Sequence, residues 1–251
     1  MKHILQYWSR NESILYSVTN VLMKKIVNVK EKREIILQSL LTKPQLINKI
    51  FELFKDEMKQ VCEFVMNNEM LNCELAMQMI KYVDCESEEY LKILEYLAKN
   101  ADEGLKDKFL ISVIQRKQFK VIPEISKTIF RTLDSEISKK ILMKMKKSKD
   151  EYFNLLYFTI LYQKREMKEE FEDLKKCYSI IVEKKKEKDI KAVDVIVEYL
   201  ISLISNESQL LRNIADLCFN HFCSEMTLES ISSIMNVLQG DVEGEGDDEG
   251  E

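Results

Sequence analysis

The C-terminal part of the chain contains the stretch from which the fold class follows most directly. Residues 194–238 read DVIVEYLISLISNESQLLRNIADLCFNHFCSEMTLESISSIMNVL, which divides into three helical segments. The middle segment places its apolar residues on one face and its polar residues outside that face. The apolar residues are Leu210, Leu211, Ile214, Leu217, Cys218 and Phe222. A stretch of this kind predicts helices that stack on one another.

The same helical pattern continues toward the N-terminus. Apolar residues recur at spacings of three and four, and start signals such as Pro44, Pro123, Asn72, Ser135 and Thr227 divide the pattern into many short helices. We predict helices at 10–28, 30–41, 44–55, 57–67, 73–83, 87–100, 103–117, 123–133, 136–147, 150–162, 166–188, 190–205, 208–223 and 228–238.

Scarcity of turn residues excludes a sheet protein. Of the 5 glycines, only Gly104 precedes residue 240, and the 2 prolines are Pro44 and Pro123. Sheets and barrels of this length need many tight turns rich in these residues. The sequence therefore predicts an all-α protein.

Short connections between helices predict an α-solenoid of HEAT-like antiparallel helix pairs, with an irregular bundle as the alternative. We predict a single repeat domain over residues 1–239, in which the long helix 166–188 crosses or projects from the stack. Residues 240–251 carry 7 carboxylates and predict a disordered acidic tail.

The cysteines and the longest apolar run indicate an intracellular chain without a membrane span. The N-terminus, MKHILQYWSR, lacks the apolar core of a secretion signal, so the 6 cysteines are expected to be reduced thiols. Residues 152–162 form the longest apolar run, which is far shorter than the roughly 20 residues that span a bilayer.

Catalytic residues are scarce. The chain has only 2 histidines and lacks a nucleophile elbow, a phosphate-binding glycine loop and an HExxH motif. Cys218, His221 and Cys223 point in different directions around one helix, and His221 is predicted to be a core residue. We therefore predict no enzymatic activity, metal, cofactor or small-molecule substrate.

One region is basic although the formal net charge is −5. Residues 139–191 contain 16 Lys and Arg against 10 Asp and Glu, which makes them the candidate nucleic-acid contact. The candidate contact residues are Lys144, Lys146, Lys147, Lys149, Lys184, Lys185, Lys186 and Lys188. Aromatic residues within 152–162 offer a base-stacking platform, but their distribution around the helix favours a buried inner helix.

Residues 194–238 resemble the C-terminal core of the DNA polymerase phi family, and an acidic run follows them, as in that family. One matching helix contains Asp194, Ile196, Leu200, Ser202, Leu203, Ile204 and Ser205. The next contains Ser208, Leu210, Leu211, Arg212, Ala215, Phe219, Phe222 and Cys223, and the last runs from Thr227 to Leu238.

This resemblance implies a non-enzymatic scaffold in the nucleus, specifically the nucleolus, acting in ribosomal DNA transcription or ribosome biogenesis. Its implied partners are proteins of a nucleolar assembly, with rDNA or pre-rRNA contacted through the basic region. Polymerase chemistry is not expected, because it needs carboxylates held around two metal ions. Arg212 is expected to make a contact between repeats, with Asp194 as a candidate partner. The alternative function is a generic HEAT-like adaptor in cytoplasmic transport or complex assembly.

Overall fold

The computed structural model describes residues 16–27, 37, 47–131, 133, 135–163, 167–185, 191–228, 230–232 and 234–235. Every regular element within these ranges is helical, which confirms the all-α prediction for the described part of the chain. The predicted acidic tail at 240–251 and most of the predicted helix 30–41 lie outside the described residues.

The chain divides into two compact units, residues 1–101 and residues 102–251. The first unit contains α1 (Tyr16–Val27), α2 (Ile47–Leu53), α3 (Met58–Asn67), α4 (Cys73–Met79) and α5 (Glu88–Asn100). The single repeat domain predicted over 1–239 stays a prediction, because it depends on how the two units are arranged.

Helices α4 and α5 form the best-defined pair of the first unit. The side chain of Asn72 caps α4, as predicted, by accepting a hydrogen bond from the N–H of Leu75 (2.9 Å). The Tyr96 hydroxyl of α5 donates to the carbonyl of Leu71 (2.8 Å), just before that cap. Tyr90, in the first turn of α5, is fully buried. The cap and the tyrosine hydroxyl together hold the start of α4 against α5.

The second unit contains α6 (Glu103–Gln115), α7 (Ile122–Ile129), α8 (Glu136–Lys147), α9 (Glu151–Tyr162), α10 (Lys168–Ile181), α11 (Ala192–Ile204) and α12 (Gln209–Phe222). The described helical residues 228, 230–232 and 234–235 follow and are called the terminal helical segment. Each helix from α8 to α12 contacts the next one along the chain, as expected of stacked repeats, and α6 also contacts α12. The solenoid arrangement stays a prediction, since the α6–α12 contact is one that an irregular bundle also provides.

Helix α9 is the core of the second unit. The nine consecutive residues Phe153–Leu161 are all buried, and the helix contacts α7, α8, α10 and α12. The Phe153 ring packs edge-on against Tyr178 (centroids 5.2 Å apart) and Phe222 (5.8 Å). The inner-helix prediction is confirmed, and these buried rings cannot serve as a base-stacking platform.

Helix α10 is shorter than the sequence predicted. It ends at Ile181 rather than at residue 188, so the prediction of a long crossing or projecting helix is wrong. Lys184 adopts a left-handed backbone conformation (φ 53°), and the N–H of Lys185 donates to the carbonyl of Ser179 (3.0 Å). A residue in the left-handed conformation ends a helix, and it is usually glycine. A lysine in this position therefore does not reveal the helix end in the sequence.

Candidate functional site

Helix α8 carries the first predicted lysine cluster. Its predicted N-cap, Ser135, accepts a hydrogen bond from the N–H of Ser138 (3.1 Å). Ile141 and Met145 are buried, so this side of the helix packs on the unit and the opposite side faces solvent. Of the predicted cluster, Lys146, Lys147 and Lys149 are exposed.

Lys144 lies in a different environment from the other members of this cluster. Its Nζ lies 3.9 Å from the centroid of the Tyr178 ring and 3.6 Å from Glu183 Oε1. Only 20% of its side chain is exposed. The ring face and the carboxylate both attract the ammonium group. Lys144 therefore connects α8 to α10, and this structural role competes with phosphate binding.

The second predicted cluster is described in part. Lys184 and Lys185 are exposed, whereas Lys186 and Lys188 lie outside the described residues. Nζ of Lys185 lies 2.6 Å from Glu183 Oε2, so part of its charge is already neutralised. Lys184 is the more available cation of these two for an external anion.

Glu183 brings the two lysine clusters together. Its two carboxylate oxygens face Lys185 and Lys144, which come from different predicted clusters. The hydrogen bond from Lys185, helped by the charges of both lysines, lowers the pKa of the Glu183 carboxyl. One ionised carboxylate therefore lies between a lysine of the first cluster and a lysine of the second.

A groove of about 260 Å³ lies between α8 and α10, and we call it the α8–α10 groove. It is lined by Lys140, Met143, Lys144, Lys147, Phe171, Glu172 and Lys175. Lys140, Met143 and Lys175 are not among the candidate residues predicted from the sequence. Lys140, Lys144 and Lys147 have the spacing i, i+4, i+7 of one helix face, which is the signal that predicts their side of the groove. The α10 side has no comparable signal, since it depends on how α10 packs.

The suggested contact between Asp194 and Arg212 is not formed. Arg212 is exposed and donates to the carbonyl of Asn206 (3.2 Å) and to Gln209 Oε1 (3.3 Å), both at the start of α12. Asp194 Oδ1 instead accepts a hydrogen bond from Thr227 Oγ1 (2.6 Å). Thr227 follows α12 in the chain and lies next to the start of α11, where it reaches Asp194. Arg212 instead forms hydrogen bonds with residues at or just before the start of its own helix, α12.

His221 is an exposed residue, and the prediction that it belongs to the core is wrong. Its ring stacks on the half-buried Tyr152 ring, with the centroids 3.6 Å apart and the planes at 9°. Cys218 is fully buried and Cys223 is exposed, which agrees with the prediction that these three residues point in different directions. The aromatic partner on α9 keeps His221 at the surface.

Metal-ligand clusters and membrane-spanning helices are absent from the described residues. No group of three or more His, Cys, Asp or Glu residues there could hold a metal ion. In the same part of the chain, no helix combines the length and apolar character needed to cross a membrane.

Two known proteins match part of the chain. The rDNA transcriptional regulator pol5 of Schizosaccharomyces pombe is 33% identical over 96 residues, which are 35% of this chain and 10% of that protein. A Myb-binding protein 1A-like protein of Danio rerio is 39% identical over 95 residues, which are 34% of this chain and 8% of that protein. The matched part thus spans about a tenth or less of these relatives. No solved structure matches the chain significantly.

A family-wide match extends over far more of the chain than these pairwise matches. The profile of the DNA polymerase phi family matches residues 17–251, which include most of the first compact unit, all of the second, the candidate lysines and the acidic C-terminal residues. The resemblance seen in residues 194–238 is therefore one part of a longer similarity. This chain belongs to the DNA polymerase phi family.

Proposed function

We propose that this chain is a non-enzymatic nuclear scaffold that acts in ribosomal DNA transcription or ribosome biogenesis and resides in the nucleolus. The observation that carries the proposal is the family match over residues 17–251. It is supported by the names of the two relatives, which are a transcriptional regulator and a binding protein rather than enzymes. The matched part spans about a tenth or less of those relatives. The role of the whole protein is therefore a proposal and is not given by the comparison.

We further propose that the second unit contacts the phosphates of rDNA or pre-rRNA through its exposed lysines. Lys146, Lys147, Lys149 and Lys184 are exposed, and the described residues provide no ion-pair partner for any of them. Lys144 and Lys185 already share Glu183. Phosphate contacts are independent of base sequence, so we expect binding to RNA and DNA of many sequences.

Locating the tagged protein in its own cells tests the scaffold proposal. We expect nucleolar fluorescence and recovery of ribosomal DNA by chromatin precipitation, compared with an untagged strain. Exclusion from the nucleus would overturn the proposal and favour the cytoplasmic adaptor. Nuclear protein without rDNA or pre-rRNA enrichment would overturn the nucleolar role.

Salt dependence tests the nucleic-acid contact separately. The slope of log K against log salt is negative, and its magnitude decreases by about 0.9 for each lost contact to a duplex phosphate. We expect replacement of Lys146 and Lys147 by alanine to reduce this slope. The matched control replaces Lys99, an exposed lysine of α5, and should leave the slope unchanged. Equal slopes in all three proteins would exclude these lysines from the contact.

A further inference from the structure

We propose that the α8–α10 groove is a docking site for an acidic, amphipathic helix of a partner protein. The inference goes beyond the proposed function, because that function needs only exposed lysines and makes no use of a groove. It rests on the chemistry of the groove walls and floor, which differs from that of a plain basic surface.

The apolar part of the groove consists of Met143 and Phe171. Met143 is 58% exposed on α8, although neighbouring Ile141 and Met145 on the same helix are buried. Phe171 is only 4% exposed and contributes a narrow apolar floor from α10. A flexible thioether over an aromatic floor suits side chains such as leucine or methionine. It offers a phosphate group nothing, and it leaves too little ring surface for a nucleobase to stack.

Lysines border this apolar floor on both sides. Lys140 and Lys147 lie along α8. Lys175 lies on α10, three residues after Glu172, the one carboxylate in the groove lining. Two of these lysines already bind carboxylates: Lys140 binds Glu136 and Lys175 binds Glu172, at 2.7 and 2.8 Å. Both pairs are exposed pairs within one helix, which contribute little stability. Carboxylates of a docked helix can therefore replace these pairs at small cost.

The groove dimensions fit a helix of a few turns. The part of α8 that lines the groove runs from Lys140 to Lys147, which corresponds to a length of about 12 Å. A partner helix of about 14 residues covers that length, with apolar residues at i, i+3, i+4 and i+7 over Met143 and acidic residues on both flanks. The tail of this chain, residues 241–251, has the charge but only Val242 as an apolar residue, so it is a poor occupant.

Fluorescence anisotropy with the full chain tests the proposal. The probe is a labelled synthetic helix of about 14 residues with four leucines in that spacing and glutamates on the flanks. One comparison peptide has the leucines replaced by serine at unchanged charge, and another has the glutamates replaced by lysine. We expect only the first peptide to bind. Equal binding of the serine peptide, or preferential binding of a DNA duplex that competes with the first peptide, would overturn the proposal.

Matched variants locate the site. Lys147→Glu should weaken binding about tenfold, while Lys146→Glu, the same charge change one residue away and outside the groove lining, should have a much smaller effect. Met143→Ser should weaken binding about fivefold or more, as for a contact residue at the centre of an interface. Glu172→Gln should strengthen binding, since it removes the competing carboxylate. Equal effects of the two lysine variants, or no effect of Met143→Ser, would overturn the proposal.

Deletion of residues 241–251 gives the remaining comparison. We expect the labelled peptide to bind both the full and the truncated chain, with at most a small gain in affinity on truncation. Binding that appears only after truncation would identify the tail as the occupant of the groove and would overturn docking of a partner helix. Circular dichroism melting of each variant checks that the groove helices remain folded.

Discussion

Thr227 Oγ1 donates a 2.6 Å hydrogen bond to Asp194 Oδ1, which joins the first turn of α11 to the start of the terminal helical segment. The buried Ser230 hydroxyl donates to the same oxygen, and the N–H of Ser230 donates to Thr227 Oγ1 (3.1 Å). Thr227 is thus both the predicted N-cap of its own segment and a donor to α11. A single carboxylate holds the C-terminal end of the described chain in place.

Replacing Asp194 by alanine should destabilise the protein by about 2 kcal/mol, because two hydroxyl donors lose a charged acceptor. Urea denaturation followed by circular dichroism measures the change. Glu198→Ala provides the control, since Glu198 is exposed on the same helix. A double variant with Thr227→Val should lose less than the sum of the two single losses. Full additivity would show that the two residues act independently.

The stabilising effect of Asp194 should depend on pH. Burial opposes ionisation of this carboxyl, but the hydrogen bonds from Ser230 and Thr227 outweigh burial and lower its pKa. A group whose pKa is lower in the folded state contributes fully above its unfolded value of about 3.9, and the contribution is lost as pH falls through the folded value. The difference in unfolding free energy between the parent and Asp194→Asn should be constant from pH 7 to about 5 and shrink below about 4. A difference that persists at pH 3 would contradict this linkage.

Leu211→Asp should destabilise the second unit by more than about 3 kcal/mol, because it places an unpaired charge at a position that is 1% exposed. Arg212 is adjacent but lies on the exposed side of α12, so Arg212→Ala should lower the free energy of unfolding by well under 1 kcal/mol, as is usual for surface substitutions. Thermal melting of both variants makes the comparison. If Leu211→Asp melts like the parent, the assigned buried face of α12 is wrong.

None of the six cysteines forms a disulfide bond, and because their burial differs, their thiols should react with Ellman's reagent in separate phases. Cys223 is exposed and should react first, and Cys223→Ser should remove that phase. Cys62, Cys177 and Cys218 are buried and should react only on unfolding. Burial raises the pKa of Cys62 to about 12, so at pH 8 its reactive thiolate is scarce even when reagent reaches it. Fast labelling of Cys62, Cys177 or Cys218 in the native protein would contradict this burial pattern.

Deleting residues 241–251 should strengthen binding to RNA and DNA and steepen its dependence on salt. The deletion removes 7 carboxylates and changes the formal net charge from −5 to +2. The expected cause is competition between the tail carboxylates and phosphates for the exposed lysines, which the deletion removes. Reversing the charges of Lys146, Lys147, Lys184 and Lys185 in the truncated chain should abolish the gain. Absence of measurable binding by the truncated protein at low salt would exclude direct nucleic-acid contact.

Helix boundaries were predictable wherever a local signal marks them. Helix α8 has the predicted bounds, 136–147. Its start is marked by a local signal, because Ser135 caps the N–H of Ser138 only three positions later. Helix α10 ends seven residues earlier than its predicted end at 188, because the left-handed residue that follows it is Lys184 and not a glycine. The exposure of His221 was not predictable for another reason: the Tyr152 ring on which it stacks is 69 positions away in the chain.

The family resemblance follows from sequence motifs, and the sequence alone is also sufficient to predict the all-α class, most helix positions and the acidic C-terminal residues. These depend on hydrogen bonds between residues a few positions apart, on caps, and on composition. Long-range packing, in contrast, brings Lys144 into contact with Tyr178 and Glu183 and encloses the groove between α8 and α10. The partners of Lys144 lie more than 30 residues away, beyond α9. Packing around a buried helix brings them together, and the periodicity of one helix carries no information about which lysines its neighbours will meet.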